Sequence, residues 1–269
     1  MNQLLQPILL KLDRAENQAL VFCKLVSDWC SKNPVKTQCL LREKRLGFKI
    51  VIDEFDEPAP LENFGFHFGE FIHNLRSLLD NLVFALASIE TVTPRKPDSL
   101  FFPIVKDQNN FFNNKRIIKC LKQLPSEVAE LITKIQPFQR NDPNVQGKPE
   151  QDPLVLLQWF NNNDKHRVPV ITLVAPKEIA PTFAVEFYSD QDADLNVPPD
   201  ITIWADQYKP GTVILEQRTN CPIKSVAGRL ECKVVLSIKT INELNPVDKV
   251  VVYLLNYVKL VVNEFIRFF

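Results

Sequence analysis

The sequence has little or none of several features that mark common protein classes. Its 269 residues include only 6 glycines, 3 histidines and 6 cysteines, and 32 Lys and Arg balance 32 Asp and Glu. No two cysteines form a C-x-x-C pair, which argues against a disulfide framework and against a thiolate zinc site. Because the net charge is zero, the total charge of the protein does not attract nucleic acid. Binding to nucleic acid would therefore need a local basic patch.

Motifs of several enzyme and membrane classes are also missing. The sequence has no glycine-rich phosphate loop, no G-x-S-x-G and no H-E-x-x-H, which disfavours P-loop, hydride-transfer and serine-hydrolase functions. The N-terminus has no basic region and is interrupted by Pro7, unlike a signal peptide, and the apolar stretch 247–269 carries too many polar side chains for a spanning helix. We therefore expect a cytoplasmic protein with reduced thiols, no membrane partner, no metal and no cofactor.

What the sequence contains is a helical first part followed by short β-rich segments. Periodicity predicts helices over 8–31, 66–87, 125–135 and 153–167, a strand over 46–52, and a polar loop over 140–152. Five β-rich segments then precede a last helix that begins near Val247: 170–174, 182–188, 201–204, 212–217 and 230–239.

This order of elements predicts an α+β fold. We expect a helical N-terminal part with a long central helix, an antiparallel β-sheet in the C-terminal half and a closing C-terminal helix. Nothing in the polar loop separates independent domains. We therefore predict one integrated domain over 1–269, with a helical part over about 1–168 and the sheet plus the last helix over about 169–269.

A stripe of polar side chains follows the central helix. At about 100° per residue, one side is apolar and the opposite side carries five polar residues within an arc of about 120°: Glu70, His73, Arg76, Ser77 and Asp80. The stripe has no lysine and continues into Phe84 and Ala87, which indicates that its far end is covered.

Two interpretations of this stripe stay open. In the first, it faces water and Asp80 pairs with Arg76 at the i,i+4 spacing. In the second, it is a covered site in which His73 carries a proton, Arg76 holds an anion, and Glu70 or Asp80 orients the imidazole. The Glu70 and His73 pair would also suit a metal, but it supplies at most half of a di-metal site.

The helix predicted over 153–167 contains the second group of candidates. Its apolar face, which includes Leu157 and Phe160, becomes polar in the last turn at Asn163, Asp164 and Arg167. Unpaired burial of such groups costs about 1–3 kcal/mol each, so they need partners. One interpretation is a helix end rich in polar caps. The other is that these residues meet the polar stripe of the central helix across a helix–helix contact.

The two runs together define the candidate site residues. The catalytic candidates lie in the first run: Glu70, His73, Arg76 and Asp80. The binding candidates lie in both: Asn74, Asn163, Asp164, His166 and Arg167. His67 is expected to pack among neighbouring phenylalanines instead.

These runs resemble motifs of a family of uncharacterised bacterial proteins. The family has a helix of the form E-x-x-H-N-L-R-S-x-L-D-[HN]-L, then F-P-I, a Gln-Pro-aromatic step, and a helix end N-N-x-D-K-H-R. Here the motifs appear in that order, at 70–82, 102–104, 136–138 and 162–167. The resemblance covers most of the chain in layout and implies a family without an assigned activity.

Many members of that family carry His at the position of Asn81, which gives the R-x4-H spacing of HEPN domains, helical metal-independent ribonucleases of phage defence and toxin–antitoxin systems. In that chemistry, His is the acid or base and Arg stabilises the phosphate. This chain departs from the pattern because Asn81 is not a histidine. His73 or His166 would have to replace it.

Two hypotheses about function follow. The first is a non-enzymatic binding or interaction protein, in which the polar cluster is a structural network or a ligand pocket. The second is a HEPN-like ribonuclease. The partner would be RNA, a phosphate-bearing ligand, a partner protein or a second copy of the chain. A separate basic segment with Lys115, Arg116 and Lys119, near Phe111 and Phe112, could contact a nucleic-acid backbone, although an ordinary surface helix is the default expectation.

Overall fold

The helices and strands follow the chain in an order close to the predicted one. The computed structural model describes residues 3–32, 34–89, 94–166, 172–204, 208–241 and 243–269. The helices are α1 Gln6–Ser31, α2 Leu61–Ala87, α3 Gln108–Asn113, α4 Lys115–Leu121, α5 Ser126–Lys134, α6 Pro153–His166, α7 Asp190–Asp194 and α8 Val247–Ile266. The strands are β1 Val35–Leu41, β2 Gly47–Phe55, β3 Thr172–Phe187, β4 Asp200–Ile203, β5 Val213–Arg218, β6 Ile223–Lys239 and β7 Leu244–Pro246. The predicted α+β fold is confirmed.

The chain divides into two units, each assembled from separate stretches. The helical unit comprises Met1–Lys24, Glu62–Ile171 and Lys239–Phe269. The sheet unit comprises Leu25–Leu61 and Thr172–Ile238. The closing helix α8 thus belongs to the helical unit, and the early strands β1 and β2 belong to the sheet unit. The single domain expected over the whole chain stays a prediction.

The helical unit is built around the apolar face of α2. Leucines at 75, 78, 79 and 82 are fully buried there, as the periodicity predicted. Aromatic rings extend this core, with Phe68 packed edge-on against Phe160 of α6 at a centroid distance of 5.0 Å. Helix α6 begins as predicted, because the Asp152 carboxylate accepts a hydrogen bond from the Leu154 N–H at 2.9 Å.

The sheet unit contains a four-stranded sheet and the long paired strands β3 and β6 of a second sheet. The sheet has the order β1-β2-β5-β4 with every pair antiparallel. Strands β3 and β6 pair antiparallel from Thr172↔Ile238 to Phe187↔Ile223. Side chains of β2, β5 and β6 bury one core, and Phe48 and Ile50 reach it from the same face of β2 because side chains two apart share a face. The buried residues are Phe48, Ile50, Leu215 and Ile223.

Two strand predictions differ from the structure. The sequence does not predict strand β1, because its side chains are mostly exposed and it therefore lacks the apolar alternation of a half-buried strand. The segments predicted at 170–174 and 182–188 are parts of one strand, β3, as far as the described residues show. Pro176 and Pro181 made this strand look interrupted, yet its pairing with β6 continues past both of them, with one shift of register at Pro176.

No helix in the described part of the chain combines the length and the apolar character needed to cross a membrane.

Candidate functional site

The polar stripe of α2 is divided into an exposed end and a half-buried end. Glu70 and His73 are exposed, and neither makes a hydrogen bond or ion pair with another described residue. One turn further on, the Arg76 side chain is only 12% exposed, and Asp80 is 38% exposed. The stripe is therefore not one covered cluster, because its histidine faces solvent while its arginine is turned inward.

Arg76 makes a hydrogen bond from each of its three guanidinium nitrogens. Nη1 donates to Asp80 Oδ1 at 2.6 Å, which confirms the i,i+4 pair. Nε donates to Gln158 Oε1 of α6 at 2.9 Å, and Nη2 donates to the Phe102 carbonyl at 2.9 Å. Arg76 thus joins α2 to α6 and to the segment 101–105.

The segment 101–105 is held by side chains, although it is not part of any sheet. Asp80 Oδ1 accepts from the Phe102 N–H at 2.8 Å, so Asp80 and Arg76 together satisfy both backbone groups of a fully buried residue. Gln136, which is 2% exposed, donates to the Pro103 carbonyl at 2.9 Å and accepts from the Val105 N–H at 3.1 Å. Because unpaired buried backbone groups are costly, these side chains fix the segment.

The hydrogen bond from Arg76 of α2 to α6 is accepted by Gln158, which was not among the predicted residues. Gln158 also donates to Asn162 at 2.9 Å. The Asn163 amide donates to the Trp159 carbonyl of its own helix at 2.9 Å and makes no bond with Arg76 or Asp80. The Asn163 amide thus bonds to its own helix, and its predicted part in the site stays a prediction.

The remaining binding candidates have separate surroundings or are not described. Asn74 is 8% exposed and donates to Gln18 Oε1 of α1 at 3.0 Å, away from the Arg76 bonds. The side chains of Asp164 and His166, and all of Arg167, lie outside the described residues. Their predicted part in the site stays a prediction.

Helix α1 contributes a lysine that contacts the same stripe. Lys11 Nζ donates to Ser77 Oγ, and with the Asn81 amide oriented to satisfy both of its groups, the Asn81 oxygen accepts from Lys11 at 3.0 Å. Burial and the nearby Arg14 lower the pKa of Lys11, and Asp80 acts in the opposite direction. This contact joins α1 to α2 and uses the Ser77 hydroxyl.

A basic face lies on α4, and the segment 101–105 supports it. The face consists of four exposed cations: Lys115, Arg116, Lys119 and Lys122. The Arg116 guanidinium lies over the Phe101 ring, 4.4 Å from its centroid. The Cys120 thiol donates to the Phe101 carbonyl at 3.2 Å. The segment fixed by Arg76 and Asp80 is therefore also the support of the basic helix.

The residues that sequence reasoning missed carry polar groups in otherwise apolar surroundings. Gln136 lies between Ile135 and Pro137. Gln158 is the one polar residue in the run 154–160. A buried amide needs partners on both of its ends, so such positions are a signal for bonds to backbone. Nothing in the sequence indicates which backbone groups they bind.

Among the described residues there is no group of three or more His, Cys, Asp or Glu side chains that could hold a metal ion. Comparison of the chain with protein-family models, with curated proteins and with solved structures gives no match in any of the three.

Proposed function

We propose that this protein is a non-catalytic binding protein for single-stranded nucleic acid, and that the basic face of α4 is its contact surface. The observation that carries the proposal is the concentration of positive charge there. The four cations lie within residues 108–126, where the sequence has no Asp or Glu, in a chain whose total charge is zero. None of the four forms an ion pair with a described residue, whereas surface lysines such as Lys224 and Lys233 do.

The arrangement of the basic face fits a line of phosphates. On a helix with 3.6 residues per turn, Lys115, Lys119 and Lys122 lie within an arc of about 60°, opposite the buried Ile117 and Cys120. Lys115 and Arg116 occupy the first turn of α4, where the helix dipole disfavours cations. Helix stability therefore does not explain these charges, while recognition of a polyanion does.

An exposed aromatic ring three residues before Lys115 favours single strands as the ligand. Phe112 of α3 is 52% exposed, and its ring is held by Phe111 at 5.3 Å and by Phe138 at 6.2 Å between centroids. A fixed, exposed ring next to cations is the combination on which unpaired bases stack. A membrane surface fits less well, because the apolar side of α4 is buried in the protein core.

In this proposal the motif on α2 is a scaffold. All three guanidinium nitrogens of Arg76 donate to internal acceptors and its side chain is only 12% exposed, which supports a structural role for this arginine. The bonds fix Phe102, and the adjacent Phe101 supports Arg116 and Cys120 of the basic helix. The HEPN-like ribonuclease hypothesis would instead require Arg76 or Arg167 to act with His73 or His166.

The test measures the anisotropy of a fluorescein-labelled single-stranded 20-mer of uridine as the full-length protein is added. For four phosphate contacts on a single strand, affinity should fall about 50-fold between 50 and 200 mM salt, following a log–log slope of about −2.8. The triple variant K115Q/K119Q/K122Q should lose most of the binding. The control variant K36Q/K224Q/K233Q removes the same charge from lysines paired with carboxylates and should bind like wild type.

Three outcomes decide between the hypotheses. Equal loss of affinity in both triple variants, or no binding of the 20-mer at low salt, would refute the proposed surface. Phe112→Ala should weaken binding by about 1–3 kcal/mol if a base stacks on the ring. Cleavage of the 20-mer by EDTA-treated protein, abolished by His73→Ala in a folded chain, would favour the ribonuclease hypothesis.

A further inference from the structure

The sheet unit contains a cleft that shares no lining residue with the basic face of α4. It has a volume of about 810 Å³ and lies beside the turn between β1 and β2, the end of β5 and the segment before β4. Its lining combines cations with exposed apolar side chains. We propose that this cleft binds a phosphorylated small molecule, with Arg218, Lys49 and Arg42 at the phosphate.

Three cations that line the cleft converge on one buried carboxylate. The Glu216 side chain is 8% exposed, and its Oε1 lies 3.1 Å from Arg218 Nε and 3.2 Å from Arg42 Nε. Lys49 Nζ lies 3.8 Å from Oε2. The register explains the arrangement, because Lys49 of β2 pairs with Glu216, and Arg218 follows two residues later on the same face of β5.

The cluster has more positive charge than the carboxylate neutralises. Three cations against one anion leave an excess of two positive charges at this point. Lys44, Glu43 and Asp200 also line the cleft, so its four cations and three carboxylates, Glu216 included, leave a total of one positive charge. The excess of two is local to the cluster, because neither Glu43 nor Asp200 forms an ion pair with it among the described residues. A dianionic phosphate matches the local excess of two, which is why we choose it over a monocarboxylate.

Arg218 has the geometry to bind such a group. Its side chain is 61% exposed and contacts Glu216 through Nε alone, so its Nη1 and Nη2 have no partner among the described residues. Two parallel N–H donors at the end of a guanidinium match two oxygens of a phosphate. Lys49, which is 41% exposed, can add a third donor from the neighbouring strand.

The turn that borders the cleft is held rigidly. Lys44 and Arg45 both have positive φ, at 53° and 58°. Arg45 Nε donates to the Ile223 carbonyl at 2.7 Å, and Nη2 donates to the Lys224 carbonyl. The Arg42 N–H donates to the Gly47 carbonyl at 2.9 Å and closes the turn. Since the turn is fixed from both sides, little ordering is needed when a ligand binds.

The apolar side of the cleft indicates an organic part attached to the phosphate. Leu40 and Leu41 at the end of the edge strand β1 are 42% and 45% exposed, and Pro198 faces the same space. A volume of about 810 Å³ exceeds what inorganic phosphate fills and lies within the range of about 300–1,000 Å³ of small-molecule sites. Phenyl phosphate therefore serves as the probe, because it presents an aromatic ring and a dianion.

The experiment is a calorimetric titration of full-length protein with phenyl phosphate and, separately, with inorganic phosphate. We expect saturable 1:1 binding of phenyl phosphate that is tighter than that of inorganic phosphate. Arg218→Gln should weaken it about tenfold or more. The control Arg267→Gln, an exposed arginine of the helical unit, should leave it unchanged.

Several results would overturn the proposal. These are an absence of saturable binding, equal affinity for phenyl phosphate in wild type and Arg218→Gln, or an equal loss in the Arg267 control. If Arg218→Gln does not fold, Lys49→Gln replaces it with the same expectation. The variant K115Q/K119Q/K122Q should bind phenyl phosphate like wild type, so this site and the nucleic-acid surface succeed or fail separately.

Discussion

Replacing Arg76 with alanine removes the side chain that joins α2, α6 and the segment 101–105. The change deletes three hydrogen bonds, to Asp80, Gln158 and the Phe102 carbonyl. Asp80 keeps its hydrogen bond from the Phe102 N–H, so the backbone of Phe102 loses one of its two side-chain hydrogen bonds. We expect a folded protein of lower stability, with local loosening around Phe102.

The magnitude follows from how far water can replace each lost bond. Phe102 is fully buried, so its carbonyl is left without a donor at a cost of about 1–3 kcal/mol. Asp80 is 38% exposed and can be solvated, so the lost ion pair costs about 0.5–1 kcal/mol rather than the full price of a buried one. Lost packing of the arginine stem and the freed Gln158 amide add to this. The total is about 2–4 kcal/mol.

Urea unfolding followed by circular dichroism measures the change in the free energy of unfolding. The matched control is Arg95→Ala, since Arg95 is exposed and makes no hydrogen bond or ion pair with a described residue. It should cost less than about 0.5 kcal/mol. Arg76→Lys keeps the charge but not the planar fork and should recover less than half of the loss. A loss below about 0.5 kcal/mol for Arg76→Ala would refute the reasoning and place the residue on a solvated face.

Three further predictions concern other parts of the structure. Gln136→Ala removes an amide that binds three backbone groups, those of Pro103, Val105 and Ile132, from a site 2% exposed. It should lower the unfolding free energy by about 2–3 kcal/mol in urea, and a change near zero would mean that water replaces the amide. Gly47 has φ +109°, and a Cβ there would lie 2.0 Å from the Gln217 carbonyl oxygen, whereas Gly211 has φ +85° and open space. In thermal unfolding, Gly47→Ala should therefore cost about 3 kcal/mol or more and Gly211→Ala about 1–2 kcal/mol; equal costs would contradict the steric argument. Burial raises the pKa of Glu216, but the neighbouring cations outweigh burial and hold it below its ordinary value of 4.5. The ionised carboxylate thus contributes stability above that value and loses it as the pH falls through the lower folded pKa. The stability difference between wild type and Glu216→Gln should therefore shrink as the pH is lowered below about 4.5, and a constant difference would exclude the linkage.

Local patterns predicted most elements because local physics forms them. The amphipathic spacing of α2 and α8 and the Asp152 cap of α6 depend only on residues close in the chain. Edge strand β1 was missed because its exposed side chains carry no apolar alternation. Strand β3 was divided in two because its prolines resemble stops, and only its partner β6 shows that pairing continues past them.

The candidate site was predicted less completely, for a different reason. The i,i+4 pair of Arg76 and Asp80 could be inferred from helix geometry, and the structure confirms it. Its other partners, Gln158 and the Phe102 carbonyl, are separated from Arg76 by 82 and 26 positions along the chain. No periodicity connects residues at such separations, so the sequence does not indicate Gln158 as a partner of Arg76.

The sequence by itself determined the α+β fold class, the central amphipathic helix, the Arg76–Asp80 pair and the zero total charge that confines any anion recognition to local patches. Tertiary structure alone decided that Arg76 is turned inward while His73 faces solvent, and that the basic helix rests on the segment that Arg76 and Asp80 hold. It also decided that three cations meet at Glu216. The physical reason is that propensity and periodicity act over a few residues, whereas hydrogen-bond partners and charge clusters depend on which distant segments pack together.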